Sequence, residues 1–304
     1  MAASQSPTVR LRRLAAELRR LREQDGRTAD QAAKALGWSK PKLLRLENRL
    51  ATKPQAAMVC ELLDLYGVSG DRRDAILTLV REARQRGWWQ PYTGALTSGH
   101  ATYIGLEDEA DVVRTYEGTV VPGLLQTEDY ARATIQGVAP GLAADVVESR
   151  VEIRLHRQRL YRQRLLLAAD DEQPNAGQPL KRLWAIFDEA VLHRVVGGPQ
   201  VMRGQLQHLL AAAAHPSVVL QVIPFSAGAH PGIPGSFVHL TFAQPLDPEV
   251  VYVDSPAGQA LIEEDAEVAV FRGTFEQLKG AALPQDKTVD MIEKQLKAML
   301  DTDH

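Results

Sequence analysis

Lys40, Lys42, Arg45 and Arg49 fall along a short stretch in which Leu43 and Leu46 take the opposite side. A helix that is apolar behind and cationic in front can meet phosphates and base edges in the major groove of duplex DNA, which admits one α-helix. Catalytic chemistry has weaker support. His193, His208, His215, His230 and His239 are scattered, with Asp188, Glu189 and Asp254 as acids within the same half of the chain. A triad of Ser226 or Ser236 with His230 and Asp254 can be drawn, but neither serine stands in a Gly-x-Ser-x-Gly elbow. No His-Glu-x-x-His spacing exists. The glycine-rich run from Gly228 to Gly235 lacks the Lys-Ser/Thr ending of a phosphate cradle, so it reads as a mobile connecting loop. No catalytic residue, metal ligand or cofactor is therefore expected, and the chain is not expected to be an enzyme.

The elements that would hold the cations in place are legible. Thr28 and Gln31, three apart, form a capping box at the start of a helix. Ala32, Ala33 and Leu36 make its inner face, and Gly37 falls where it must stop. Ser39 stands at the cap position of the next helix, with Pro41 in its first turn, where a missing amide does little harm. Before this pair, Leu11, Leu14, Leu18 and Leu21 recur every three or four residues, giving an amphipathic helix with Arg12, Arg13, Arg19, Arg20 and Arg22 elsewhere on its surface. After it, Val59, Leu62, Leu63 and Tyr66 mark a fourth helix stopped at Gly67, and Ile76, Leu79, Val80 and Ala83 a fifth ending at Gly87. Five short helices make a compact helix-turn-helix domain over residues 1–86.

Charge divides the chain at the same place. Residues 1–90 carry 18 Lys and Arg against 10 Asp and Glu, a net of +8, while the remainder carries 17 against 28, a net of −11. That asymmetry is expected where only the first part touches nucleic acid. One cysteine, Cys60, excludes an internal disulfide and a cysteine-based zinc site, and reads as a small core residue. No apolar run of membrane-spanning length and no signal-peptide core occurs, so no membrane partner is expected and a cytoplasmic location is.

Residues 87–304 read as an effector- or partner-binding domain, helical over 105–168 and a small α/β layer over 181–304. Glu107–Thr115 reads as helix, and residues 86–104 break the helical pattern. The Pro122-Gly123 pair marks a turn, and Thr127 caps a helix containing Tyr130. A long helix from Leu142 to about Leu167 carries Arg150, Arg154, Arg157, Arg159, Arg162 and Arg164, read as a solvated face paired with local acids, a second nucleic-acid surface being the sharper alternative. Residues 169–180 read as an exposed loop. Then the period changes: residues 183–187, 218–225, 236–242 and 250–253 are short, β-branched and aromatic, with an edge strand at 259–262, a helix at 199–214, and two closing helices at 266–283 and 285–300. The fold class is mainly α with an α+β second domain. Trp88, Trp89, Tyr116, Gln126, Tyr130 and His230 are the candidates for effector or partner contacts.

The first domain resembles the lambda-repressor or xenobiotic-response-element type of helix-turn-helix, with Gly37, Ser39, Leu43, Leu46 and Glu47 matching its Gly-x-Ser…Ile-x-x-Ile-Glu pattern. The resemblance implies that Ser39, Lys40, Pro41, Lys42, Leu44 and Arg45 face DNA, joined on the residue evidence by Thr28, Gln31 and Arg49. Many relatives carry a small polar residue where this chain has Leu44; it either touches a thymine methyl group or is half-buried. Further on, Val121-Pro-Gly-Leu-Leu-Gln-Thr127, Tyr130-Ala-Arg, Gly197-Gly-Pro, Val222-Ile-Pro-Phe225 and Val251-Tyr-Val-Asp254 are similar to a large family of actinobacterial regulators that joins a helix-turn-helix to a C-terminal domain of unknown function. The resemblance implies a transcriptional regulator, with an antitoxin-like subgroup linked to a small partner protein encoded nearby. Double-stranded DNA, a homodimer and a small-molecule effector complete the expected partners, since one recognition helix reads too few bases for genomic specificity.

Overall fold

The computed structural model describes residues 7–48, 54–83, 87–92, 94–169, 182–243, 247–255 and 257–301. Arg49, the 169–180 loop beyond Ala169 and the side chain of Arg164 lie outside the described residues. The chain divides into two units, Met1–Gln90 and Pro91–His304.

The first unit is five helices: α1 (Pro7–Gln24), α2 (Ala29–Ala35), α3 (Lys40–Glu47), α4 (Ala56–Leu65) and α5 (Gly70–Ala83). Leu14, Leu18 and Leu21 of α1, Ala32 and Ala33 of α2, Leu43 and Leu46 of α3, and Val59, Leu62, Leu63, Ile76 and Val80 of α4 and α5 form one apolar core. The Thr28 hydroxyl accepts from the Gln31 amide at 3.2 Å, and the Gln31 side chain accepts from the Thr28 amide at 2.8 Å. Ser39 sits at the cap of α3 in extended geometry, but its side chain makes no capping hydrogen bond. Pro41 occupies the first turn as expected. Cys60 is half-buried.

The α2–α3 turn rests on Gly37. Its φ is +65°, the Trp38 amide donates to the Ala33 carbonyl at 2.8 Å, and the Gly37 amide donates to Lys34 at 3.1 Å. These two bonds satisfy carbonyls left open at the helix end. A residue with a Cβ pays about 1–2 kcal/mol for this conformation. Gly37→Ala is therefore expected to lower the stability of the first unit by about that amount, read as a reduced urea midpoint with an unchanged slope.

Two α1 arginines depart from the surface reading. Arg12 is 5% exposed, and Arg22 turns inward because Glu47 on α3 supplies a buried carboxylate for it.

The second unit is a six-stranded sheet in the order β3-β2-β1-β4-β5-β6. In chain order its elements are α6 (Ser98–Glu109), β1 (Val112–Glu117), α7 (Glu128–Val138), α8 (Ala144–Ala169), β2 (Arg182–Asp188), α9 (Ala190–His193), α10 (Pro199–Ala213), β3 (Val218–Ile223), β4 (Phe237–Thr241), β5 (Val250–Ser255), β6 (Gly258–Ile262), α11 (Asp265–Ala281) and α12 (Gln285–Asp301). β1, β2 and β3 are parallel, with Val113 opposite Leu183 and Leu183 opposite Val218. β4, β5 and β6 continue antiparallel, with Val113 opposite Leu240.

Two expectations are corrected here. Residues 107–115 are not one helix, because α6 starts earlier, with the Thr97 hydroxyl accepting from the His100 amide. The sheet is not confined to residues 181–304, because β1 at 112–117 is its central strand. Five consecutive α6 residues, Tyr103 to Glu107, are buried, so the helix presents no amphipathic stripe. Residues 112–117 are rich in β-branched and aromatic side chains, which suits a strand paired on both edges. The residue alternation of β1 also divides the sheet faces. Tyr116 packs into a core with Ile186, Phe237, Val251 and Phe275 of α11, whereas Glu117 feels the charge of Arg154 on α8.

Candidate functional site

On the first unit, Thr28, Gln31, Ser39, Lys40, Pro41, Lys42 and Arg45 are all exposed, while Leu43, Leu46 and Glu47 of the same helix are buried. Leu44 is half-buried. The exposed set spans the start of α2, the turn and the front of α3, which forms one polar, cationic face. Lys40 Nζ reaches Asp30 at 2.7 Å in an exposed pair, which water and salt weaken. Lys42 Nζ lies 4.0 Å from the centre of the Trp38 ring, and Trp38 Nε1 donates to Glu61 of α4 at 3.2 Å. Both lysines are therefore held close to the helix surface by contacts that an incoming phosphate can replace.

The Glu47–Arg22 pair joins α3 to α1. Arg22 Nε and Nη2 donate to the two Glu47 oxygens at 2.9–3.0 Å, and Arg22 Nη1 donates to the Arg27 carbonyl at 3.0 Å. The planar guanidinium matches the carboxylate with two parallel bonds. Hydrogen bonding to Glu47 outweighs the cost of burial and raises the Arg22 pKa. The acidic position in the sequence pattern is thus a strut that ties α3 to α1.

The six effector candidates separate into different places. Trp88 and Trp89 meet edge to face, ring centroids 5.8 Å apart, at the end of the first unit. In the second unit, Tyr130 is fully buried, and its hydroxyl accepts from the Val121 amide at 3.2 Å. Gln126 donates to the Val121 carbonyl at 2.7 Å and accepts from Arg154 at 2.6 Å. Gln158 donates to the Gly123 and Gln126 carbonyls, and Gln205 both donates to Leu125 and accepts from the Thr127 amide. The conspicuous 121–130 stretch is therefore a turn clamped by three glutamines.

Tyr116 and His230 come together, ring centroids 5.9 Å apart, and His230 Nε2 lies 3.4 Å from Asp188. The drawn triad dissolves: His230 partners Asp188 rather than Asp254, and the Ser236 hydroxyl accepts from the Gly118 amide. The 228–235 loop is pinned, since a Cβ on Gly232 would lie 2.4 Å from the Tyr116 ring. Among the described residues, no cluster of three or more His, Cys, Asp or Glu is placed to hold a metal ion. No helix among them is long and apolar enough to cross a membrane.

The α8 arginines hold what the sequence did not reveal. Arg157 is 8% exposed and donates through Nε and Nη2 to Glu107 of α6 at 2.7 Å each. Glu107 also accepts from the Tyr103 hydroxyl, and Tyr103 stacks on Tyr252 of β5 with centroids 4.1 Å apart. Burial opposes charge on Arg157, but Glu107 overcomes it and raises its pKa. Burial, then Glu107, pushes the Tyr103 hydroxyl well up, so it stays a donor. Arg150 Nε donates to the Ala95 carbonyl at 3.1 Å. Arg150, Arg154 and Arg157 stand four and three apart, on the inward side of α8, and correct the reading of all six arginines as solvated. Arg159 and Arg162 do remain exposed. The available signal was the company of Val147, Val151 and Tyr161, buried on the same helix.

Residues 13–76 match the profile of a helix-turn-helix domain. Residues 100–294 match that of a domain of unknown function, DUF5753. No curated protein and no solved structure matches the chain.

Proposed function

For a chain that belongs to the DUF5753 family and carries a helix-turn-helix domain ahead of it, we propose a sequence-specific transcriptional regulator that binds duplex DNA as a dimer and takes its input through the second domain. The helix-turn-helix makes the chain a DNA-binding regulator. The observation that carries the proposal is the division of α3: Leu43, Leu46 and Glu47 are buried, while Lys40, Lys42 and Arg45 are exposed on the front. The basic charge excess of residues 1–90 supports the same face.

Lys42→Ala and Arg45→Ala are each expected to weaken binding to the chain's own promoter DNA by about tenfold, within the 1–3 kcal/mol range for a lost base or phosphate contact. Fluorescence anisotropy measures this, against random DNA of equal length. The log of the binding constant should fall by roughly 0.9 per phosphate contact per decade of salt, with a shallower slope in a variant that has lost a phosphate contact. Equal affinity for promoter and random DNA would overturn the reading.

A further inference from the structure

We propose that the cavity enclosed by α6, α7, α8 and the β5–β6 hairpin binds a small organic carboxylate, its acid group paired with Arg154 and Arg150 and its apolar body laid against Ile135, Val138 and Ile153. Binding itself is a property of the cavity; only its consequence for DNA rests on the regulatory reading above.

The cavity measures about 270 Å³, just below the ~300–1,000 Å³ that ligand pockets span. Arg150, Arg154 and Arg157 all line it. Arg157 is neutralised by Glu107. Among the described residues, no carboxylate lies within ion-pairing distance of Arg150 or Arg154. Arg154 is half-buried and bonded through Nη1 to the neutral amide oxygen of Gln126. A guanidinium partly withdrawn from water and without a counter-charge gains from an anion that completes it.

The surrounding groups sharpen this. Burial first, then the charge of Arg157, brings Arg154 down to about 10, so it remains cationic at neutral pH. Glu117, whose charge acts on Arg154, is pushed up by burial to about 7. His100 is held neutral, lowered by burial and by the three arginines to about 3. Its Nδ1 is spent on the Tyr252 hydroxyl at 3.2 Å.

The ligand's charge and shape follow from the same walls. Asp254 lines the cavity and would repel a second negative charge, which favours a monoanion over a phosphate dianion. A planar carboxylate also suits the two-pronged guanidinium. Ile135, Val138 and Ile153 supply an aliphatic patch beside the polar Thr97, Thr134 and Gln259. Val138, 79% exposed although it lines the cavity, marks the mouth.

The test uses the full chain with benzoate and hexanoate as probes, benzyl alcohol and hexanol as uncharged controls, and inorganic phosphate, read by titration calorimetry and thermal shift. Either carboxylate should bind and raise Tm, whereas the alcohols should not. Arg154→Gln should weaken binding by about tenfold to a hundredfold. Val138→Trp, placed at an exposed position so that folding is preserved, should block the mouth and weaken binding similarly. No binding of either carboxylate overturns the proposal, as does phosphate binding that equals or exceeds theirs. Undiminished binding in both variants overturns the assignment to this cavity. Promoter affinity measured with and without bound benzoate separates the two readings: binding with no change in DNA affinity leaves the cavity assigned and removes the sensing role.

Discussion

Glu47→Ala is expected to destabilise the helix-turn-helix unit by about 3 kcal/mol, because it leaves the Arg22 guanidinium, 11% exposed in the pair, without its partner. Against the 5–15 kcal/mol of a typical domain this is a large share. Helicity of the full chain at 222 nm should show the loss as an early thermal transition, since every described regular element from α1 to α5 is helical. Promoter binding should fall with it, although Glu47 is buried and cannot touch DNA itself. Replacing both partners by apolar residues, Arg22→Met with Glu47→Leu, should recover most of the stability, because neither charge is then stranded. Recovery of stability without recovery of DNA binding would show that the strut sets the angle of α3 as well as its stability. A single Glu47→Ala variant with wild-type melting would refute the account of this pair.

The second large effect lies in the other unit. Glu107→Ala should cost about 3–5 kcal/mol by stranding Arg157, whose guanidinium makes two bonds to that carboxylate and lies 5.2 Å from the Tyr103 ring. Tyr103→Phe removes only a hydroxyl from the same network and should cost about 1 kcal/mol. Urea denaturation followed by the fluorescence of Trp184, the tryptophan of this unit, measures both. The double variant Glu107→Leu, Arg157→Met closes a cycle whose coupling term reports the pair. A coupling near zero would mean that the pair is incidental to the packing of α6 on α8.

The first unit was legible in the sequence because its signals are local. The Thr28 capping box, the Gly37 stop and the apolar spacing of α3 each act within a few residues, and each appears where expected. Ser39 kept its position but not its hydrogen bond. Glu47 was recognised as a position in a pattern, but its role depends on Arg22, 25 residues away. The second unit hid more, for the same physical reason. β1 is paired on both edges and has no clean in-and-out alternation, and α6 is buried along five successive residues. The α8 arginines look like a solvated stripe until α6, α7 and the β5–β6 hairpin are folded against them. A buried arginine cannot be told from an exposed one by its spacing alone.

The position of β1 also fixes an order of events during synthesis. Every partner of that strand comes later in the chain: β2 begins at Arg182, and β4 ends at Thr241, about 130 residues after Val112. At roughly 5–20 residues per second, the ribosome delivers the last of them about 6–26 s after β1 itself. The contacts that close the five-helix unit all lie before Gln90. The nascent chain therefore presents a folded helix-turn-helix unit while the central strand of the sheet still lacks its partners.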